Sequence, residues 1–263
     1  MTDRFHVIIP ARMHSTRLPE KMTLEVEGVP LIVHTAHQAA KSKASQVVVA
    51  TDHADILRIC QSHEINAVMT DSKHNTGTDR IAEVAKSLGL YEHEIVVNVQ
   101  GDEPLINPEL INQLAKFTFD KSTAFATVAR HISNTADLFN PNVVKVVLDK
   151  NSNALYFSRS PIPFYRDGLW SDSTKAKLPD DLSILGHIGM YSYTVDFLSQ
   201  YSKFCPSPLE QVEALEQLRT LYNGHSITVL ISDLPHHAGV DTLEDLQRIR
   251  HTLTQSKLHG QKL

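Results

Sequence analysis

Three runs in the first hundred residues, HVIIPA, VVVAT and IVVNV, are apolar without alternation, and each is followed by an amphipathic, helix-like segment. This pattern restricts the fold sharply. A strand with one wet face alternates apolar and polar residues, whereas a strand buried on both faces has no reason to. Continuous Val/Ile runs separated by PLIVHTAHQAAKSKA, ADILRICQSHE, TDRIAEVAKSL and PELINQLAKFT predict a mainly parallel sheet with helices on both sides. Ligands of such sheets gather at the carboxyl ends of the strands. Polar residues directly after strands are therefore the first place to look for chemistry.

The middle of the chain changes character. AFATVARHI, VVKVVLD, ALYFSRSPIPF and ILGHIGMYSYTV are strand-like runs in near succession. They predict an antiparallel extension of the sheet, with about 150–205 forming a lobe for a second ligand or a second subunit. The polar stretch 166–183 between the last two reads as a loop. PLEQVEALEQLRTLYNG then predicts one long helix, capped by Ser207 with Pro208 and Glu210 inside its first turn. A late strand, ITVLIS, precedes a final helix capped at Thr242. With 263 residues and 41% hydrophobic content, the chain supports one sizeable domain, 1–263.

Several function classes are disfavoured. The formal net charge of −5 argues against a nucleic-acid-binding surface. No apolar run reaches membrane-spanning length, and the N-terminal apolar run is too short for a signal peptide. Cys60 and Cys205 form no C-x-x-C and are expected as reduced thiols in a cytoplasmic protein. Fifteen histidines are scattered without H-E-x-x-H spacing, so a zinc site is not expected. The P-loop and G-x-G-x-x-G fingerprints are both absent.

The remaining polar clusters follow strands. Arg12, Arg17 and Lys21 lie in the loop after the first strand, ARMHSTRLPEK. Together they suit an anion of several charges such as a triphosphate, with Arg as a bidentate fork and Lys as a point charge. VVNVQGDEP ends a strand in Gln100, Gly101 and Asp102. A carboxylate beside a polyanion calls for a bridging cation, and Mg²⁺ takes one or two carboxylates plus phosphate oxygens. Asp102 is the best metal candidate, while Glu103 also fits a helix cap. Asp241, in GVDTLEDL, reads as an N-cap alone and as a second metal carboxylate beside Asp102. In HNTGTDR, Gly77, Thr78 and Arg80 fit both a helix cap and a nucleotide contact. Arg159 at a strand end suits an anionic sugar, and His187 within a strand is an ordinary core histidine unless something else assigns it a role.

Taken together, VIIPARMHSTRLPEK, MTDSKHNTGTDR, IVVNVQGDEPLI, NPNVVKVVLD, ALYFSRSPIPF, HIGMYSY, LEQLRTLYNG and GVDTLEDL resemble the 3-deoxy-manno-octulosonate (Kdo) cytidylyltransferases over about 5–250. The resemblance implies a nucleotide-diphospho-sugar transferase fold, a Rossmann-like three-layer α/β sandwich with a mixed, mainly parallel sheet and an antiparallel dimerisation extension. It implies a homodimer and a Mg²⁺-dependent reaction in which CTP and Kdo give CMP-Kdo and pyrophosphate for lipopolysaccharide biosynthesis. It assigns Arg12, Arg17 and Lys21 to the triphosphate, with Asp102, Arg12 and Lys21 catalytic. Gly77, Thr78 and Arg80 fall to the nucleotide, Gln100, Arg159, His187 and Glu216 to the sugar, and Asp102 and Asp241 to the metal. A second Mg²⁺ on the triphosphate is also implied.

The sequence departs from that pattern at Glu20, where Gly is usual, at Met22 and Thr23 after the lysine, and at Gly186, where a cation is common. Glu20 is expected to point outward or to pair with one of the loop's cations. The missing cation at 186 brings an amino-substituted Kdo into consideration as the substrate. Activation of a sialic acid would share the reaction and the opening loop but should differ in YFSRSPIP and LEQLR, which here fit Kdo enzymes. A non-catalytic nucleotide-binding relative would be expected to lack Asp102 or Asp241, which are both present.

Overall fold

The computed structural model describes residues 4–13, 15, 17–74, 76–168, 178 and 183–258. In chain order the main elements are β1 (Phe5–Ala11), β2 (Glu25–Val26), β3 (Val29–Pro30), α1 (Leu31–Ala39), β4 (Val47–Thr51), α2 (Ala54–Ser62), β5 (Ala67–Met69), α3 (Gly77–Ser87), β6 (Ile95–Asn98) and α4 (Pro108–Lys121). They continue with β7 (Phe125–His131), α5 (Thr135–Phe139), β8 (Lys145–Leu148), β9 (Ala154–Ser158), β10 (Leu185–Thr194), α6 (Val195–Tyr201), α7 (Pro208–Glu213), α8 (Leu218–Tyr222), β11 (Thr228–Ile231) and α9 (Leu243–Leu258).

The main sheet runs β11-β7-β10-β6-β1-β4-β5, with β8 and β9 as a ribbon branching from β10. β6, β1, β4 and β5 are mutually parallel, as are β11 and β7, and β10 is antiparallel to both of its neighbours β6 and β7. The two-residue period of a strand divides the core. Val7, Ile9, Val49 and Val97 pack with Ile32, Ile56, Leu110 and Leu114 from α1, α2 and α4. Ile8, Val48, Ala50 and Val96 pack with Ile81, Val84, Phe197 and Leu218 from α3, α6 and α8. Both faces are dry, as the unbroken apolar runs require.

β10 is a central strand antiparallel to its neighbours, because its apolar residues on both faces need covering as much as those of β1, and the β8–β9 ribbon branches from it. Two expectations change. The expected long helix after Ser207 is two short ones. The capping box of Ser207 and Glu210 is present, but Ala214 adopts a left-handed φ of 50° and ends α7. That break lets Leu215 and Leu218 enter the core while Glu216 and Gln217 turn toward a cavity. Finally, no helix follows Pro104 directly; Asn107 caps α4 instead, accepting from the Glu109 N–H. Most of the polar 166–183 loop lies outside the described residues.

Candidate active site

The register of the sheet brings distant loops together. Ala11 of β1 pairs with Thr51 of β4, and Ile8 with Asn98 of β6. Arg12, Asp52 and Gln100 therefore leave the same sheet edge side by side. Arg12, Arg17, Lys21, Gly77, Gln100, Asp102 and Asp241 line one hollow of about 340 Å³ there. One Arg12 nitrogen is buried with no hydrogen-bond partner in the structure. Burial, and then the nearby Arg80, lower the Arg12 pKa. A half-buried guanidinium with one open, desolvated donor invites an anion.

Lys21 makes the strongest contacts in the hollow. Its ammonium donates to the carboxylates of Asp102 and Asp241, the latter at 3.0 Å, and to the Val240 carbonyl at 3.2 Å. Burial disfavours the Lys21 ammonium, but the two carboxylates outweigh that cost and raise its pKa. Arg17, largely exposed, donates to Asp241 at 2.8 Å. The two acidic loops are fastened directly to each other. The Val240 N–H donates to the Asp102 carbonyl at 2.9 Å. A Cβ on Gly239 would stand 3.2 Å from the same oxygen, so a larger residue there would push these backbones slightly apart. Gly101 is confined similarly, since a Cβ there would meet the Pro10 carbonyl at 2.9 Å. One ammonium between two carboxylates marks the place where a single cation fits. The donor set, two carboxylates open to phosphate oxygens, is the kind that suits Mg²⁺.

Beyond these aspartates a second cavity of about 660 Å³ opens, sharing Arg17, Gly77, Gln100, Asp102 and Asp241 with the first. Asn142, Arg159, His187, Tyr191, Glu216 and Gln217 line its far side. The Arg159 guanidinium donates to the carbonyls of Glu213, Pro141 and Ala214. The Thr127 hydroxyl donates to the Met190 carbonyl at 2.8 Å, so it accepts from His187 Nε2–H, also at 2.8 Å. This assigns the His187 tautomer and leaves Nδ1 as its acceptor. Burial, and then His236, press the His187 pKa down to about 3. Glu216 accepts from the Thr78 hydroxyl, and desolvation raises its pKa.

A cytidylyltransferase family model matches residues 6–227. A 3-deoxy-manno-octulosonate cytidylyltransferase of Neisseria meningitidis is 51% identical over 246 residues, 94% of this chain and 96% of that protein. One from Herminiimonas arsenicoxydans is 51% identical over 251 residues, 95% of this chain and 99% of its own. The chain belongs to the 3-deoxy-manno-octulosonate cytidylyltransferase family. Among solved structures, a CMP:2-keto-3-deoxy-manno-octonic acid synthetase complexed with CTP superposes with a TM-score of 0.85 at 35% identity, covering 96% of this chain and 99% of that one. A Leptospira borgpetersenii cytidylyltransferase shares the fold, with a TM-score of 0.61 at 17% identity over 96% of this chain and 87% of its own.

Within this family frame, the structure gathers most of the expected site residues. Arg12, Arg17, Lys21, Gly77, Asp102 and Asp241 meet at the first hollow, and Gln100, Arg159, His187 and Glu216 line the second. Two residues expected at the nucleotide are buried. Arg80 has no exposed surface; its guanidinium donates to Asp52 at 2.6 Å and to the Thr70 hydroxyl. Thr78 is likewise buried and donates to Glu216. Arg80 is thus held by Asp52 and Thr70, and Thr78 by Glu216. Glu216 is correspondingly no solvent-facing charge.

Glu20 points outward. It is exposed, lines a separate hollow with Met13, Pro19, Thr23 and His53, and takes a left-handed φ of 55°, a conformation glycine adopts without strain. Gly186 is explained by packing, because a Cβ would stand 3.2 Å from Ile132 and 3.4 Å from Val143, leaving little room for a cation's stem. Sequence reasoning missed Asn98, Asn142 and Gln217 in the second cavity. Asn98 carried a signal, a polar residue interrupting a two-face-buried strand. Gln217 carried none while its segment read as one continuous helix.

Proposed function

We propose that this chain joins CTP to an acidic eight-carbon keto-sugar, 3-deoxy-manno-octulosonate, releasing pyrophosphate. The observation that carries this reading is the Lys21 ammonium held between Asp102 and Asp241, where a cationic hollow opens into a polar cavity. The two compartments suit two substrates, and the acidic pair sits where they join. The names of the relatives supply the nucleotide and the sugar.

Arg12, Arg17 and Lys21 would bind the triphosphate oxygens, and the unpartnered Arg12 nitrogen is already desolvated for that contact. Mg²⁺ held by Asp102 and Asp241 would lower the pKa of the sugar's anomeric hydroxyl and offset charge on the phosphates. When triphosphate enters, Lys21 is free to exchange its carboxylate partners for phosphate oxygens. The anomeric oxygen bonds to the α-phosphorus, its proton passes to solvent, and the bond to pyrophosphate breaks. Holding the two substrates in line and matching their charge accounts for the acceleration without a protein nucleophile. Arg159, Gln100, His187 and Glu216 would orient the sugar, with His187 a neutral acceptor at physiological pH.

We also propose a homodimer, a cytoplasmic location and a role in lipopolysaccharide biosynthesis. In support of the dimer, β9 forms the outer strand of the β8–β9 ribbon and exposes Leu155 at 61%. Light scattering at micromolar concentration tests it, and a monomer mass counts against it. The activity is tested by pyrophosphate release from CTP and Mg²⁺ with Kdo, 8-amino-Kdo and a sialic acid offered separately. Release with Kdo is expected. Release only with another sugar would replace the substrate, and folded protein silent with all three would reject the enzyme reading.

A further inference from the structure

Lys145 on β8 is fully buried, yet it bonds to no carboxylate. Its ammonium donates to three backbone carbonyls, Asn140 at 3.0 Å, Val143 at 2.6 Å and Arg159 at 2.6 Å. An ammonium has three N–H donors, so donors and acceptors match one for one. The adjacent Arg159 donates to the Pro141 carbonyl at 2.8 Å. Two cations therefore hold the carbonyls of Asn140, Pro141 and Val143, within a loop of four residues. That loop is a wall of the second cavity: Asn140, Asn142 and Val143 line it, together with Arg159.

Burying an ammonium is costly, and an apolar side chain of similar volume would fill the space with less desolvation. What an apolar residue cannot do is hold these carbonyls in place. We infer that Lys145 is a positioning residue for the sugar half of the cleft, fastening the 140–143 loop in the shape that receives a polyhydroxylated acid. This rests on the acidic-sugar reading above and extends it to a residue that touches no substrate.

The protonation state gives the arrangement a signature. Burial, and then Arg159, lower the Lys145 pKa to about 8, with Glu213 opposing. The charged groups acting on it are thus Arg159 after β9 and Glu213 at the end of α7. Glu213 already accepts from the Ser158 hydroxyl and the Arg159 N–H. Across β10, which pairs with Lys145 at Gly186, stands the neutral His187. Asp137 of α5 is engaged by Arg130 at 2.8 Å. A neutral amine has two donors for three carbonyls, and its lone pair repels the third. Above pH 8 the loop therefore loosens. Because the folded-state pKa lies below the ordinary lysine value, the unfolded chain binds this proton more tightly, and the group does not destabilise the fold as pH rises. The change is local to the wall.

The test is steady-state pyrophosphate release by the full chain with CTP, Mg²⁺ and Kdo from pH 7 to pH 9.5. The KM for the sugar should rise about tenfold across that range while the KM for CTP moves less than about twofold. Lys145→Met should start with the raised sugar KM at pH 7 and show no further rise, whereas ionisation of the reacting hydroxyl moves kcat. A flat sugar KM in the wild-type chain overturns the inference, and so does a Lys145→Met profile that still climbs. The wild-type series decides alone if the variant does not fold. Absence of release with every acidic sugar would instead overturn the functional reading, and this inference with it.

Discussion

The Lys21 ammonium and the Asp241 carboxylate, 220 positions apart in the chain, meet at 3.0 Å. The same ammonium donates to Asp102, so one lysine bridges both acids expected at the metal. A metal ion on these acids would compete with the lysine for one place. Lys21→Met leaves Asp102 without its cation and Asp241 with only the exposed Arg17. The variant is expected to be less stable without metal and to gain more from Mg²⁺ than the wild type, by ~2–4 °C in Tm for a chain of this size. Thermal melts with and without Mg²⁺ measure this, and equal gains would argue against a shared cation site.

Asp102→Asn keeps the shape of the side chain and removes its charge. The predicted loss in kcat is about 10²–10³-fold, the scale of removing one preorganised electrostatic contact at a reacting centre. Circular dichroism should be unchanged, since Asp102 is partly exposed and holds the 239–241 turn through its backbone. Turnover near the wild-type rate would remove Asp102 from the metal site.

Glu103 is almost fully buried beside Asp102, with one carboxyl oxygen unpartnered. Burial, and then the Asp102 charge, raise its pKa to about 8 from the ordinary 4.5. A raised folded-state pKa means a contribution that is complete below about pH 4.5 and lost as pH climbs through about 8. Glu103→Gln cannot ionise. Without metal, the variant should match the wild type near pH 4.5 and be more stable by roughly 2–4 kcal/mol at pH 9. Urea unfolding at both pH values tests this, and parallel stability curves would show that Glu103 is not held neutral.

Arg80 and Arg17 should separate structure from binding. Arg80→Met strands Asp52 and Thr70 and is expected to cost about 3–5 kcal/mol of stability, as for a broken buried pair. Arg17→Ala removes an exposed pair, 57% and 41% accessible, and should cost less than about 1 kcal/mol while raising the KM for CTP. A large stability loss at Arg17 with none at Arg80 would reverse these assignments.

Much of this was legible in the linear chain, for local reasons. Apolar runs without alternation announce strands buried on both faces, and β1, β4 and β6 are such strands. Ser207 with Glu210, and Thr242 with Asp245, form the caps their spacing predicts, because a cap involves neighbours three residues apart. Arg12, Lys21, Asp102 and Asp241 could be singled out because strand ends in a parallel sheet share an edge.

The tertiary structure decided everything that depends on a neighbour distant in the chain and close in space. Arg80 and Arg12 look alike in sequence; Arg80 has no exposed surface and pairs with Asp52, whereas Arg12 lines the hollow at the sheet edge. Ala214 breaks a good helix former's run because Leu215 and Leu218 must reach the core while Glu216 faces the cavity. Lys145 reads as a charge inside an apolar, strand-like run, and only three converging carbonyls turn it into a clamp. Periodicity and capping are written along the chain, whereas desolvation and the pairing of charges are set by what the fold brings alongside.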